Sequence, residues 1–211
     1  MDIVVGGGKF GLEAVKFLKK SRRKFVVLDI DSNCTVVKKL KLSEYGSGTG
    51  EEFLAGGIEN LANLINEVNP EYIFPTAPLH IAAEVARVTY GFKPWNDGIN
   101  YIMAGLPLKI IVSVGRGSVV VSYNRDAECI PNCSAPDICP VTRLEKPCPM
   151  YKLIKFANPK VYLLISYQLK PGLGAIKAED FKNFLNWAKN REKVLVATSC
   201  RCHGVITALK R

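Results

Sequence analysis

The chain has 211 residues, 48% of them hydrophobic and 23% charged, with a formal net charge of +10. Such a composition excludes a disordered chain, and the length allows one good core or two small ones. No apolar run approaches a membrane span and no basic-then-apolar leader precedes the first strand, so neither insertion nor export is expected and the protein is placed in the cytoplasm.

Asp2 to Val5 reads as a short strand that runs into Gly6-Gly7-Gly8-Lys9-Phe10-Gly11, a full G-x-G-x-x-G. Gly11 to Lys20 has helical apolar spacing, and Phe25 to Asp29 is a second strand ending in a carboxylate. A glycine turn between buried strand and helix lets a pyrophosphate approach bare backbone and sit on the helix N-terminus. Asp29, 18 residues after Gly11, is placed to accept hydrogen bonds from an adenosine ribose and to repel a 2′-phosphate. The expected cofactor is therefore NAD rather than NADP, held by Gly6, Gly8, Lys9, Phe10, Gly11 and Asp29.

On the residues VVGGGKFG and VVLDID the first third of the chain resembles the NAD-binding domains of the TrkA-N or RCK type, which regulate potassium transport. The resemblance implies a Rossmann domain with Gly6, Gly8 and Gly11 at the pyrophosphate and Asp29 at the ribose. The triple glycine is also similar to the NAD-dependent precorrin-2 dehydrogenases of sirohaem synthesis, which are not matched further along.

Asp31-Ser32-Asn33 is a helix start signal for Cys34 to Leu42. Ser43 to Gly57 is rich in Gly and Ser where a regular Rossmann domain shows a third strand, so that strand is expected to be very short or lost. Ile58 to Val68 carries one apolar helix face, and Asn69-Pro70 ends it. Glu71 to Pro75 is the next strand, and a helix follows from about Leu79 to Tyr90. Thr76 to His80 should lie near the glycine loop at the second half of a dinucleotide, which makes Thr76 a cofactor contact and His80 a catalytic candidate. A histidine in a first helical turn is equally a cap or a surface residue.

From Lys109 the pattern changes to paired strands, Lys109–Val114 and Ser118–Tyr123 around Gly115-Arg116-Gly117. The division is set within Gly91 to Gly105. A Rossmann-like NAD-binding domain is assigned to 1–100 and a smaller, basic α+β domain of antiparallel character to 101–211. In the latter a Cys-rich loop at 126–150 precedes a strand at 161–167, a helix at 179–190 and strands at 193–197 and 204–209. Residues 151–211 hold 12 Lys/Arg against 3 Asp/Glu, while residues 1–150 hold 17 against 16. Lys predominates and no Arg-rich stripe interleaves with exposed aromatics, so a solvated basic face is expected and nucleic acid is not.

Seven cysteines in a reducing compartment point to ligands or reactive thiols rather than disulfides. Cys129, Cys133, Cys139 and Cys148 fall in a proline-rich loop with little apolar content, which a metal would hold together. Four thiolates suit zinc or a [4Fe-4S] cluster; the spacing is not that of paired zinc knuckles, and the Cys-Pro steps at 139 and 148 favour iron–sulfur. Thr198-Ser199-Cys200-Arg201-Cys202-His203 adds Cys200 and Cys202 as further ligand candidates, with Arg201 expected to favour the thiolate.

The expected function is an NAD-binding protein with a cysteine-ligated metal centre, acting in redox chemistry or electron transfer. The alternatives are a nucleotide- or redox-sensing module without catalysis and an NAD-dependent dehydrogenase with a structural zinc. Whether it is an enzyme stays open, because His80, His203 and Lys9 are the only acid–base candidates near such a site. A redox or regulatory protein partner and self-association are expected.

Overall fold

The computed structural model describes residues 1–211, and its fold grows from a strand with no exposed face: β1 (Asp2–Val5) is buried throughout. Such a strand needs cover on both sides, as in parallel sheets. It lies between β2 (Phe25–Asp29) and β5 (Tyr72–Pro75), parallel to both. β2 pairs in parallel with β4 (Glu51–Ala55), and β4 with the two-residue β3 (Ser43–Glu44). The two-residue period of β1 sorts its side chains. Val4 packs with Leu12, Val15 and Leu18 of α1 (Lys9–Lys20) and with Val36 of α2 (Thr35–Lys39). Ile3 and Val5 pack with Leu61, Leu64 and Ile65 of α3 (Ile58–Val68) and with Ile81 and Val85 of α4 (Ile81–Tyr90). The start of β1 is fixed by buried Asp2, whose carboxylate accepts from Arg23 Nε at 2.6 Å and Nη2 at 3.0 Å and from the Tyr72 N–H at 2.9 Å.

The third parallel strand is present, as β4. The Gly and Ser residues before it form a turn around one carboxylate. Gly46, Gly48 and Gly50 take φ of +92°, +77° and +81°, the region that favours glycine. The turn wraps buried Glu52, which accepts the Gly46 N–H at 2.9 Å, the Gly50 N–H at 3.4 Å and the Ser47 hydroxyl at 3.5 Å. The Gly46 N–H foremost, against the cost of burial, holds the Glu52 carboxyl below its ordinary value.

The sheet continues through β10 (Leu173–Lys177), antiparallel to β5 and to β9 (Tyr162–Lys170). β9 runs parallel to β11 (Lys193–Ser199), which is antiparallel to β12 (His203–Lys210). β12 pairs with β8 (Ser118–Ser122) and with the short β6 (Lys93–Pro94), and β8 with β7 (Ile111–Gly115). The result is a mixed α/β fold on one 12-stranded sheet ordered β3-β4-β2-β1-β5-β10-β9-β11-β12-β8-β7, with β6 beside β12. Arg116 and Gly117, at φ 47° and +76°, make the tight β7–β8 turn. β10, α5 (Gly98–Met103) and α6 (Met150–Ala157) have no counterpart in the sequence reading, and α7 (Ala178–Ala188) does. The second part is not wholly antiparallel, since β9 and β11 are parallel. No helix is long and apolar enough to cross a membrane.

Because β10 reverses between β5 and β9, the strands β1, β2, β4, β5, β9 and β11 all end at one edge of the sheet. β12 starts and β8 ends at that edge, so the glycine loop and both cysteine groups emerge from it. This edge positions the site.

Candidate functional site

The glycines of the first loop differ in what surrounds them. Gly6 has φ +105°, and a Cβ there would meet the Ala77 backbone nitrogen at 2.7 Å. A Cβ on Gly11 would lie 2.0 Å from the Gly6 carbonyl oxygen, so the first turn of α1 crosses the end of β1 with no room for a side chain. A Cβ on Gly8 would meet nothing within 4 Å, and Gly8, Lys9 and Phe10 are exposed. Thr76 donates to the Val5 and Gly6 carbonyls at 2.9 and 2.7 Å, which ties the loop after β5 under the loop after β1.

Asp29 ends β2 half-buried, its Oδ2 accepting the Gly7 N–H at 2.5 Å and its Oδ1 the Asp31 N–H at 2.9 Å. Two bonds leave lone pairs free on a carboxylate that is already oriented. The same sheet edge carries exposed apolar side chains, Phe10 at 65% in the first turn of α1, Ile30 at 82% after β2 and Leu79 at 43% after β5. Exposed apolar groups after three adjacent parallel strands mark a face that a ligand can cover. Cys34 caps α2 and is buried under the loop, where a Cβ on Gly7 would collide with its sulfur.

His80 is neither a surface residue nor a side-chain cap. It immediately precedes α4, buried, with Nδ1 2.7 Å from Thr207 Oγ1 and Nε2 3.0 Å from Thr198 Oγ1; Ser118 Oγ continues the chain at 2.8 Å from Thr207. Burial pushes the imidazole down to about 3, so it is neutral and joins α4 to β8, β11 and β12. A ring with both nitrogens engaged inside the core is a structural link, and the catalytic expectation for His80 has no geometric support.

The two cysteine groups meet at the same edge. His203 Nε2 lies 3.3 Å from Cys129 Sγ, and His203 Nδ1 3.7 Å from Cys200 Sγ. Cys200 Sγ also accepts the N–H groups of Cys202 and His203 at 3.4 Å each. Burial opposes ionisation of Cys200, but His203 and those N–H groups together bring its thiol below the ordinary value. Cys139 is likewise lowered against burial by Thr142 and Val141, and Cys133 accepts the Ala135 N–H at 3.4 Å. Cys202 is raised, by burial first, with Lys146 Nζ 3.4 Å away as its partner. Tyr123 donates to the Cys148 carbonyl at 2.9 Å. Arg201, expected to activate a thiol, instead pairs with Asp137 at 2.5 Å. His203 takes that role at Cys200, while buried Lys146 opposes the burial of Cys202 without overcoming it. Nothing in the local pattern around Cys202 points to Lys146, 56 residues away. No group of three or more His, Cys, Asp or Glu side chains stands close enough to hold a metal ion.

The hairpin β9–β10 joins the glycine-loop unit to the cysteine loop. Leu173 and Ala175 pack with Val4, Leu12 and Phe74, and Lys170 lies 3.6 Å from Glu13 of α1. At the same hairpin the Cys133 carbonyl accepts from the Gly172 N–H at 3.0 Å and from Gln168 Nε2 at 2.8 Å.

Two family models cover the chain, each described as part of an uncharacterized protein: the N-terminal domain matches residues 1–81 and the C-terminal domain residues 80–211. An uncharacterized protein of Archaeoglobus fulgidus is 55% identical over 215 residues, covering 100% of both chains. No solved structure matches significantly. The chain belongs to this two-domain family, whose two models meet at His80, ahead of the division at 100–101 expected from the sequence.

Proposed function

We propose that the chain binds a dinucleotide at Gly6–Gly11, NAD in preference to NADP, on a Rossmann-like unit similar to the TrkA-N or RCK type, and serves redox chemistry or its sensing. One observation carries the reading: the three motif glycines have three different surroundings. A pyrophosphate turn asks for a tight bend at the first glycine, open backbone at the second and close helix packing at the third. Gly6, Gly8 and Gly11 meet these demands in order. Asp29 gives the preference for NAD, since a 2′-phosphate would face its carboxylate. Titration with NADH, followed by its fluorescence, tests the reading. Gly8→Asp is expected to weaken binding at least tenfold with the melting temperature unchanged, and Asp29→Ala to weaken it at least tenfold with a lower melting temperature, because the Gly7 and Asp31 N–H groups lose their acceptor. Wild-type affinity in both variants overturns it.

The cysteine group is the second part of the proposal, a [4Fe-4S] cluster or zinc among Cys129, Cys133, Cys139, Cys148, Cys200 and Cys202. Its support is at Cys200 and Cys139, whose thiols are brought below the ordinary value against the cost of burial, Cys200 by His203 and the Cys202 and His203 N–H groups and Cys139 by Thr142 and Val141. The side chains as they stand form no ligand set, so holding an ion requires the cysteine loop to rearrange. Iron, sulfide and zinc quantified on anaerobically purified protein are expected to show about four irons or about one zinc per chain. Equal metal content in Cys133→Ser/Cys139→Ser and the wild type would count against it.

A sensing role draws support from the β9–β10 hairpin, which touches α1 through Lys170 and the cysteine loop through Gly172 and Gln168. A ligand that orders one end has a rigid strand pair leading to the other.

A further inference from the structure

The sheet divides along β9. Tyr162–Ile165 pair with β11 and Ser166–Lys170 with β10, so the first half of β9 has no strand on its β10 side. A groove of about 540 Å³ opens at this fork, away from the glycine loop and the cysteines. Its wall is aromatic. Tyr162, Tyr167 and Trp187 line it half-exposed, with the Tyr162 and Trp187 rings 4.9 Å apart.

Cations surround those rings. Lys155 and Lys160 line the groove, the Arg191 guanidinium lies 4.2 Å from the Trp187 ring centre, and the Lys177 ammonium 5.1 Å from that of Tyr167. Asp180 is the only carboxylate in the lining. Residues 151–211, which build the groove, hold 12 Lys/Arg against 3 Asp/Glu. Folding therefore interleaves basic and aromatic side chains that are scattered along the sequence.

We infer that this groove binds single-stranded nucleic acid. Aromatic faces that stack on any base, beside cations that follow a phosphate backbone, form the general apparatus of sequence-tolerant single-strand binding. An acidic peptide would use the same cations but has no need of the half-exposed aromatic side chains beside them. A duplex hides its base faces from them.

The test is fluorescence anisotropy with a 5′-labelled oligo(dT) 15-mer in about 50 mM salt, repeated at rising salt because counterion release must weaken the complex. Trp187→Ala is expected to weaken binding about tenfold or more, and Lys160→Glu to weaken it and flatten the salt dependence. Thermal melts of both variants show whether they are folded. Lys160→Glu, at an exposed site, keeps the test open where Trp187→Ala fails to fold. Absence of binding at low salt overturns the proposal. So does equal affinity for a duplex of the same length, or equal competition by a poly-Glu 15-mer. Gly8→Asp, which tests the dinucleotide site, is expected to leave oligonucleotide binding unchanged, so the two readings fail separately.

Discussion

His80 shows how placement decides what a side chain can do. Its neighbours are hydroxyls, Thr198, Thr207 and Ser118, which can serve a neutral ring with one donor and one acceptor but offer no charge to balance an imidazolium. Burial lowers its folded value from 6.5 to about 3 while the unfolded chain keeps the ordinary value. The unfolded state therefore binds the extra proton between those limits. The His80 contribution is complete above pH 6.5 and is lost as pH falls toward about 3. By pH 4 the loss is on the order of 3 kcal/mol. Urea unfolding of the wild type and His80→Gln at pH 7 and pH 4 measures it. The variant is expected to lack this part of the acid sensitivity, and equal losses in both proteins would assign it elsewhere. From sequence, His80 could be placed at a helix start beside the strand loops. Its partners lie 118 and 127 residues away, beyond the reach of local pattern.

Elements with a strong local period were legible, and those completed by distant partners were not. β1, α1, β2, α3, β5 and α4 follow from buried runs and helical spacing. β4 did not, because the glycine turn before it masked a strand whose first buried side chain is a glutamate. β10 reads Leu-Gly-Ala-Ile-Lys, with no alternation, and is a strand because β5 and β9 flank it. The fold of the turn around Glu52 depends on that carboxylate. Glu52→Ala leaves the Gly46 and Gly50 N–H groups without their acceptor and is expected to cost about 2–3 kcal/mol of unfolding free energy. Exposed Glu44→Ala on β3 is expected to stay within about 0.5 kcal/mol of the wild type. Equal effects in chemical denaturation would show that the turn does not rely on Glu52.

Across the whole molecule, one sheet edge carries both the glycine loop and the cysteine groups, and their spacing limits how the two proposed sites can communicate. From β1 to β11 the order passes β5, β10 and β9, four strand spacings. At about 4.8 Å each, the ends of these strands stand about 19 Å apart. With the pyrophosphate at the glycine loop, the second half of a dinucleotide would lie by Thr76–His80 after β5, still three strand spacings, about 14 Å, from the end of β11. A hydride passes only between groups in contact, so direct reduction of the thiols near His203 is not expected. What spans the gap is the β9–β10 hairpin, held to Glu13 by Lys170 and to the Cys133 carbonyl by Gly172 and Gln168. Coupling through it predicts that saturating NAD changes the rate at which iodoacetamide alkylates exposed Cys129 and half-exposed Cys133. A change of about threefold corresponds to roughly 0.7 kcal/mol, within reach of one contact network. Lys170→Glu sets like charges against each other at Glu13 and is expected to abolish the change while leaving NAD affinity within about twofold, since the half-exposed pair itself contributes little. Identical alkylation with and without NAD would show that the hairpin only packs, and that the two ends of this edge work independently.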